Sequence, residues 1–321
     1  ISPLFLIKKT YKAHLTEVVR HQGPVLNLAT ILRQDDFPCT PPSRFPTFSN
    51  REGSVGCLSH KDWLEKAQFE LKQAIRKNKP DSARILCYTN RYVERLVPYA
   101  RRAIHGQDAD LMPVLPGELL ITRKAVMLTA TIDRIRFFEE PGVLFGSNEE
   151  ILVKDVTPHI YDLQELELSE KIFFDVPSVE TLLVKVSFRN MEFSIRLLPE
   201  LGSYSRNELE EFLDKISDKA KHSQGVDSRK LWKTFFRVRD SFASVGPASV
   251  LTVHRSQGST FGEVFIASDV FWPKDIKLRK QLVYVAISRA SRGVWLLDSS
   301  DNQDVKNIWW EKMNLMLKDC T

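Results

Sequence analysis

The residues best suited to chemistry lie close together near the C-terminal end of the chain, in residues 251–261 (LTVHRSQGSTF). An apolar run there passes into hydroxyl, imidazole and amide side chains and then reaches a glycine. Small polar residues and a glycine allow the backbone to approach a phosphate group closely. The same pattern also fits an ordinary turn after a strand, so the spacing alone leaves both interpretations open. The candidate residues are Thr252, His254, Ser256, Gln257 and Gly258.

Two arginines follow apolar runs and are candidates for binding an anion. Arg289 ends the run QLVYVAISR, which has the pattern of an amphipathic helix, and Arg20 ends the run LTEVVR. A guanidinium group carries a permanent charge, and its planar fork matches the oxygens of a phosphate. A surface arginine without a ligand is the more common case, so neither residue decides the matter alone.

A third candidate set follows the apolar run at residues 83–88, where the chain reads Thr89-Asn90. Hydroxyl and amide groups of this kind often contact the sugar-phosphate backbone of nucleic acids. Asn90 would serve equally well as the N-cap of the helix that follows. The sequence leaves these two roles open.

The elements around these candidates alternate between strand and helix, as in an α/β domain. The predicted strands are residues 83–88, 249–253, 262–267 and 293–297. The predicted helices are residues 60–79, a helix that runs to about residue 104, and residues 279–289. Residues 34–59 are rich in proline and glycine and show little periodicity, so we predict a loop there.

Between these α/β segments, residues 117–200 contain short strand-like runs that are separated by turn residues. Such spacing is typical of a small antiparallel sheet or barrel. A polar, helical stretch follows at about residues 205–242. The simplest interpretation is one α/β domain interrupted by a β-rich insertion.

The composition excludes several classes of protein. The 321 residues are 43% apolar and 27% charged, which argues against wholesale disorder, collagen and coiled coil. Charges interrupt every apolar run that approaches the length of a membrane helix. A net charge of +5 and a pI near 8.9 permit a nucleic-acid partner without requiring one. The four cysteines are widely spaced, which argues against a zinc site and indicates a reducing compartment, so we expect a cytoplasmic protein.

Taken in order, the four segments resemble the late motifs of superfamily 1 helicases. The strings Thr-x-His-x-x-Gln-Gly and Tyr-Val-Ala-Ile-Ser-Arg are similar to motifs five and six of the RecD, Pif1 and Dda branch, and are most similar to the Dda type. The resemblance covers about half of the chain, and we assign no motif to residues 34–83 and 158–231. We identify the chain as resembling the C-terminal half of such a superfamily 1B helicase.

The resemblance implies a fold and a set of roles. The fold would be a RecA-like parallel-sheet domain, the second motor domain, in two parts (residues 1–115 and 247–321) around an inserted SH3-like barrel (residues 116–246). Arg20 would be the arginine finger and Arg289 a second contact to the γ-phosphate, with Gln257 and Gly258 lining the cleft near it. The contacts to the DNA backbone would be Thr89, Asn90, Thr252, His254 and Ser256.

The family's nucleotide-holding half is not evident in this sequence. A Walker A loop needs Gly-Lys followed by Ser or Thr, and no glycine in this chain is followed by lysine. No predicted strand ends in an Asp-Glu pair, and no metal ligands are proposed here. ATP and Mg²⁺ would therefore be bound mainly by an N-terminal domain that is absent from this sequence, and we expect this chain alone not to hydrolyse ATP appreciably.

Two alternatives remain open at this stage. The chain could be a degenerate helicase-like module that binds single strands or a protein without any ATPase half, or a RecD-like subunit of an exonuclease complex. The expected partners are single-stranded DNA and the N-terminal RecA-like domain of the same parent chain, with no membrane. RNA stays open as a ligand, because none of the motifs reads the 2′-hydroxyl.

Overall fold

The computed structural model describes residues 22–133, 142–166, 168, 174–299 and 307–318. Its helices are α1 (Gly23–Arg33), α2 (His60–Arg76), α3 (Asn90–His105), α4 (Asp108–Leu111), α5 (Tyr204–His222), α6 (Gly225–Arg239), α7 (Ile276–Ile287) and α8 (Ile308–Lys318). Its strands are β1 (Phe45–Ser49), β2 (Ser54–Leu58), β3 (Ala83–Cys87), β4 (Leu119–Thr122), β5 (Val126–Met127), β6 (Val143–Phe145), β7 (Glu150–Asp162), β8 (Ser178–Phe188), β9 (Met191–Arg196), β10 (Val245–Pro247), β11 (Val250–Thr252), β12 (Phe261–Ile266) and β13 (Ala290–Leu297).

The chain divides into two compact units. Unit 1 combines Ile1–Trp63 with Gln257–Thr321, and unit 2 is Leu64–Ser256. The predicted α/β strands and helices are all confirmed, with ends that differ by a few residues. The predicted division at residues 115 and 247 stays a prediction. Among the described helices, none is long and apolar enough to cross a membrane.

Unit 1 contains a mixed sheet with the strand order β1-β2-β13-β12. Strands β2, β13 and β12 run parallel to one another, and β1 pairs antiparallel with β2. Trp295 in β13 lies opposite Gly56 on one side and Phe265 on the other. The indole Nε1 of Trp63 donates to the Trp295 carbonyl at 3.0 Å, which joins the start of α2 to this sheet.

The loop predicted for residues 34–59 is wrong, because β1 and β2 lie within it. The glycines and proline that indicated a loop have other roles here. Pro46 lies on β1, which forms one edge of the sheet as described, and an edge strand tolerates a residue without an N–H. At Gly56, a Cβ would lie 3.0 Å from both the Trp295 ring and the Thr47 hydroxyl. Close packing therefore requires a glycine in this strand.

Helix α8 is held to unit 1 by Trp309, whose side chain is buried. Its ring packs edge-on against Phe37 at 4.8 Å and against Phe271 at 5.9 Å, measured between centroids. Its Nε1 donates to the Thr40 carbonyl at 2.9 Å, so the polar end of the indole is also satisfied. The neighbouring Trp310 is exposed instead.

Unit 2 contains the predicted antiparallel insertion. Five strands in the order β10-β4-β7-β8-β9 form an antiparallel sheet, and β5 pairs with β6. In β8, Val184 and Val186 are fully buried while Lys185 between them is exposed, the alternation expected of a sheet with one buried face. Helices α5 and α6 enclose a second apolar cluster that includes Leu209 and Phe212. The SH3-like barrel stays a prediction.

Candidate nucleic-acid interface and phosphate site

The predicted nucleic-acid residues of unit 2 lie where two neighbouring strands end. Strands β3 and β11 pair in parallel, with Thr252 opposite Cys87. The pairing continues beyond β11, because the Val253 amide donates to the Cys87 carbonyl at 2.8 Å. Parallel strands have their carboxyl ends at the same edge of the sheet. The segments after Cys87 and Thr252 therefore lie side by side, although they are far apart in the sequence.

Thr89, and not Asn90, is the N-cap of α3. The Thr89 hydroxyl accepts a hydrogen bond from the Tyr92 amide at 3.2 Å, and Asn90 is the first helical residue. The sequence left a capping role open for Asn90, and the structure gives that role to its neighbour. The side chain of Asn90 is exposed, so its amide is available to an external ligand.

We expect Thr89→Ala to lower the free energy of unfolding by about 1 kcal/mol, because the amide of Tyr92 would lose the hydroxyl oxygen that caps it and keep only the Thr89 carbonyl, 3.2 Å away. Thr89→Ser keeps the hydroxyl and should lose much less. Chemical denaturation of both variants measures the difference. Equal losses in the two variants would contradict the capping role.

His254 and Thr252 complete this surface. The His254 side chain is exposed, and its ring centroid lies 6.2 Å from that of Tyr88, with the planes tilted by 43°. The Thr252 hydroxyl accepts from the Arg255 amide at 3.4 Å and is mostly buried. Tyr88 is a neighbour that the sequence did not single out, although it directly precedes Thr89. The structure thus brings four of the predicted contacts to one edge of unit 2.

Ser256 does not share this exposure. Its side chain is fully buried, and its hydroxyl donates to the Val253 carbonyl at 2.7 Å. Its amide donates to the Thr252 carbonyl at 3.1 Å, so both polar groups close the turn after β11. In this arrangement Ser256 shapes the turn that presents His254 and does not itself face a ligand.

Two buried arginines fix the position of α3 relative to the inserted sheet. Arg101 in α3 forms a bidentate ion pair with Glu118, with Nε 2.7 Å from Oε1 and Nη2 3.2 Å from Oε2. Glu118 directly precedes β4. Arg84 in β3 approaches Glu150 at the start of β7, with 2.8 Å between Nη2 and Oε1. Sequence reasoning missed both pairs, because no local pattern links their partners.

Arg289 lies in unit 1, at the junction of α7 and β13. Its Nε donates to the Val285 carbonyl at 3.2 Å and its Nη2 to the Ser288 hydroxyl at 3.0 Å. Its Nη1 donates to the Ser259 carbonyl at 3.2 Å. The guanidinium group is therefore oriented toward the segment that directly follows Gln257 and Gly258. A planar cation fixed in this way suits the oxygens of a phosphate group.

Gln257 and Gly258 are both exposed. Gly258 has a φ of +94°, which L residues with side chains rarely adopt, whereas a Cβ built there would meet nothing within 4 Å. The glycine is therefore required by backbone conformation and not by crowding. The structure brings Gln257, Gly258 and Arg289 together in unit 1. Arg20, the proposed arginine finger, lies outside the described residues, and its role stays a prediction.

The described residues do not fit a magnesium site. In the ranges that the structure covers, no group of three His, Cys, Asp or Glu side chains is arranged to hold a metal ion. Thiol chemistry is equally poorly supported, because Cys39, Cys57 and Cys87 are all buried. Burial raises the pKa of the Cys39 thiol to about 12 and raises that of Cys57 further.

In comparison with known proteins, residues 247–297 match the family of the UvrD-like helicase C-terminal domain. That range contains β11, the turn with His254, and the α7–β13 junction with Arg289. The chain is also 21% identical, over 306 residues, to the ATP-dependent DNA helicase dda of Enterobacteria phage T4. The alignment covers 92% of this chain and 64% of the phage protein, so the chain spans less than two thirds of that relative.

Solved structures of Pif1 helicases are also similar. The Candida albicans protein is 13% identical, with 95% of this chain and 60% of that chain covered and a TM-score of 0.37. The Bacteroides protein, solved with ADP-AlF3 and single-stranded DNA, is 11% identical, with 96% and 57% covered and a TM-score of 0.35. TM-scores of this size are too low to carry an argument about fold. The family match and the phage relative confirm the resemblance indicated by the motifs, which is to the C-terminal half of a helicase of the Dda type.

Proposed function

We propose that this chain is the C-terminal motor and DNA-gripping portion of an ATP-dependent DNA helicase that moves 5′ to 3′ along single-stranded DNA. The observation that carries the proposal is the convergence of Thr89, Asn90, Thr252 and His254 at the adjoining ends of β3 and β11. The match to a helicase C-terminal domain over residues 247–297 supports it. The direction of movement follows the family resemblance alone.

The chemistry of the proposed DNA contacts suits a strand that must slide. Hydroxyl, amide and imidazole groups hydrogen-bond phosphate and sugar oxygens without fixing a permanent charge beside each one. Such contacts position a backbone and carry no sequence information. A motor that steps along any sequence needs this kind of contact, because each grip must form and release repeatedly.

Arg289 would serve the other ligand, ATP held by an N-terminal RecA-like domain of the parent protein. Negative charge on the γ-phosphate oxygens must be neutralised during phosphoryl transfer, and an arginine supplied from a second domain is a recurring solution. Arg20 would provide the arginine finger, and Gln257 and Gly258 would line the same cleft. ATP would supply the reacting phosphate, and Mg²⁺ would neutralise charge on its oxygens. The groups of this chain would bind and orient the γ-phosphate.

The inserted antiparallel sheet would belong to the DNA-gripping side of the motor. We place its boundaries at residues 116 and 246, within the RecA-like second motor domain formed by residues 1–115 and 247–321. The ion pairs from Arg101 and Arg84 tie this sheet to α3 and β3, the elements that carry Thr89 and Asn90. Movement of the proposed DNA contacts would therefore be transmitted to the insertion.

Binding of fluorescently labelled single- and double-stranded DNA, followed by anisotropy across a salt series, tests this proposal. We expect the chain to prefer single strands and its affinity to fall steadily with salt. Asn90→Ala and His254→Ala should each weaken binding about tenfold, since each removes a hydrogen bond to a charged backbone. Asn207→Ala and His222→Ala are matched controls, because both side chains are exposed on α5, and both should bind as wild type does.

The α5 variants test whether a loss of DNA affinity is specific to the residues at the ends of β3 and β11. If Asn90→Ala and His254→Ala bind as tightly as the α5 variants, the proposed interface is wrong. Equal affinity for single and double strands would also count against a helicase. Strong, specific binding by this chain together with no ATPase activity after joining to an N-terminal domain would favour the degenerate binding module.

A further inference from the structure

Helix α6 has two faces of opposite character. Leu231, Thr234 and Val238 are buried, and they recur at the three- and four-residue spacing that defines one face of a helix. On this face, α6 packs against the apolar cluster that it shares with α5. The other face is exposed to solvent and consists of four cations and one aromatic ring, Arg229, Lys230, Lys233, Phe236 and Arg239. We call these five residues the basic face of α6.

The charge of the basic face is not balanced by its own helix, which contains five arginines and lysines but one carboxylate. In the part of the chain that the structure describes, Arg229, Lys230 and Lys233 have no carboxylate partner. Arg239 pairs with its neighbour Asp240 at 2.7 Å. Helix α5 differs, because five carboxylates are interleaved with its four arginines and lysines. Positive charge concentrated on one face attracts a polyanion.

Phe236 adds an exposed aromatic ring to the basic face. Its ring lies beside that of Trp232, one turn earlier, with 6.0 Å between the centroids and 29° between the planes. The guanidinium carbon of Arg239 lies 4.7 Å from the Phe236 centroid. Trp232 and Phe235 pack against the apolar cluster below them, and Phe235 meets Phe236 edge-on at 5.4 Å. These rings support Phe236, which is still 44% exposed.

A single exposed aromatic residue needs no ligand to explain it, and Phe69 on α2 is more exposed, at 59%. What distinguishes Phe236 is that cations lie one turn away on each side, at Lys233 and Arg239. Cations alone would suit any polyanion. An exposed ring between cations suits a single-stranded nucleic acid, because an unpaired base can stack on the ring while phosphates contact the cations. In a duplex the bases are already stacked on one another.

We propose that the basic face of α6 binds a nucleic-acid single strand, with one base stacked at Phe236 and backbone phosphates at the lysines and arginines. The inference rests on the proposed function in that both surfaces take the same kind of ligand. It extends DNA gripping from the ends of β3 and β11 to the helices that follow the inserted sheet. Stacking is tolerant of base identity, as a moving strand requires.

Binding of fluorescein-labelled oligothymidylate to the full chain, at several salt concentrations, tests this surface. Lys233→Ala should weaken binding about fivefold and lower the slope of log affinity against log salt by roughly one. Phe236→Leu should weaken binding about tenfold at an unchanged slope, because it removes stacking and no charge. Phe236→Tyr keeps an aromatic ring and should bind as wild type does. With double-stranded DNA, Lys233→Ala should still weaken binding, whereas Phe236→Leu should not.

The matched controls are Lys215→Ala on α5 and Phe69→Leu on α2, which change exposed residues of the same types elsewhere in unit 2. Each should change affinity less than twofold. If Lys233→Ala and Phe236→Leu match these controls while His254→Ala loses affinity, the basic face is wrong and the proposed function stands. If wild type binds no strand at all, both fail.

Two further results separate a single strand from other polyanions. Polyglutamate should displace the labelled strand much less well than unlabelled oligothymidylate does. If it competes equally, or if Phe236→Leu binds single strands as tightly as Phe236→Tyr, the face recognises charge alone and the proposal is overturned. Phe236 is exposed, so thermal melts should place its variants close to wild type and exclude unfolding as the cause of a lost affinity.

Discussion

Arg289→Ala should lower ATP turnover by about 10³-fold or more when this chain is joined to the N-terminal RecA-like domain that we propose it works with. The expected loss is large because the guanidinium would neutralise charge that develops only as the γ-phosphate transfers. The structure orients Arg289 through hydrogen bonds to the carbonyls of Val285 and Ser259. Steady-state ATPase measurements with saturating single-stranded DNA provide the test.

Arg292→Ala is the matched control for this prediction. It removes an arginine three positions further along, where the side chain is exposed and lies 4.0 Å from Glu263. The Arg292 side chain is mostly exposed and its contact with Glu263 is long, so its loss should leave turnover within about twofold. Single-stranded DNA affinity should be similar in both variants. Normal turnover in Arg289→Ala would remove the residue from the proposed catalytic contacts.

Removing one partner of the Arg101–Glu118 pair should cost about 3 to 5 kcal/mol of folding free energy. Both side chains are largely buried, and Glu118 also accepts from the Leu115 amide at 3.1 Å. Arg101→Ala would leave the Glu118 carboxylate buried without its cation. It would also leave the carbonyls of Ala109 and Met112 without the donors that Arg101 gives them.

The adjacent residue provides the control. Arg102 pairs with Asp110 at 2.8 Å, but both side chains are about half exposed, so Arg102→Ala should cost less than about 1 kcal/mol. Replacing both partners, as in Arg101→Met with Glu118→Leu, should cost less than Arg101→Ala alone, since no uncompensated charge remains. Urea unfolding of the three variants measures these differences. Equal losses at Arg101 and Arg102 would contradict the buried pair.

Much of the interface could be predicted because its signals are local. A strand followed by a polar turn and a helix is visible in the sequence from Ala83 onward, and a strand followed by a polar turn is visible again after Gly246. Parallel pairing then brings the two strand ends together without any further information. The sequence predicts a role near phosphate for Gly258, and its positive φ explains why a glycine is needed there.

The features that were missed depend on contacts across long stretches of sequence. Gly56 and Pro46 look like loop residues until the Trp295 ring and the edge of the sheet are known. Ser256 looks like its exposed neighbours, but the turn buries its hydroxyl. The partner of Arg101 is set by how the inserted sheet packs, which no periodicity encodes.

The central claim is that this chain is one half of a DNA-stimulated motor. The most direct test measures ATP hydrolysis by this chain alone, by the parent's N-terminal RecA-like domain alone, and by the two joined, each with and without single-stranded DNA. We predict turnover only in the joined protein, and strong stimulation by single-stranded DNA. The account would be contradicted if this chain alone hydrolysed ATP as fast as the joined protein. It would also be contradicted if single-stranded DNA did not change the ATPase rate of the joined protein.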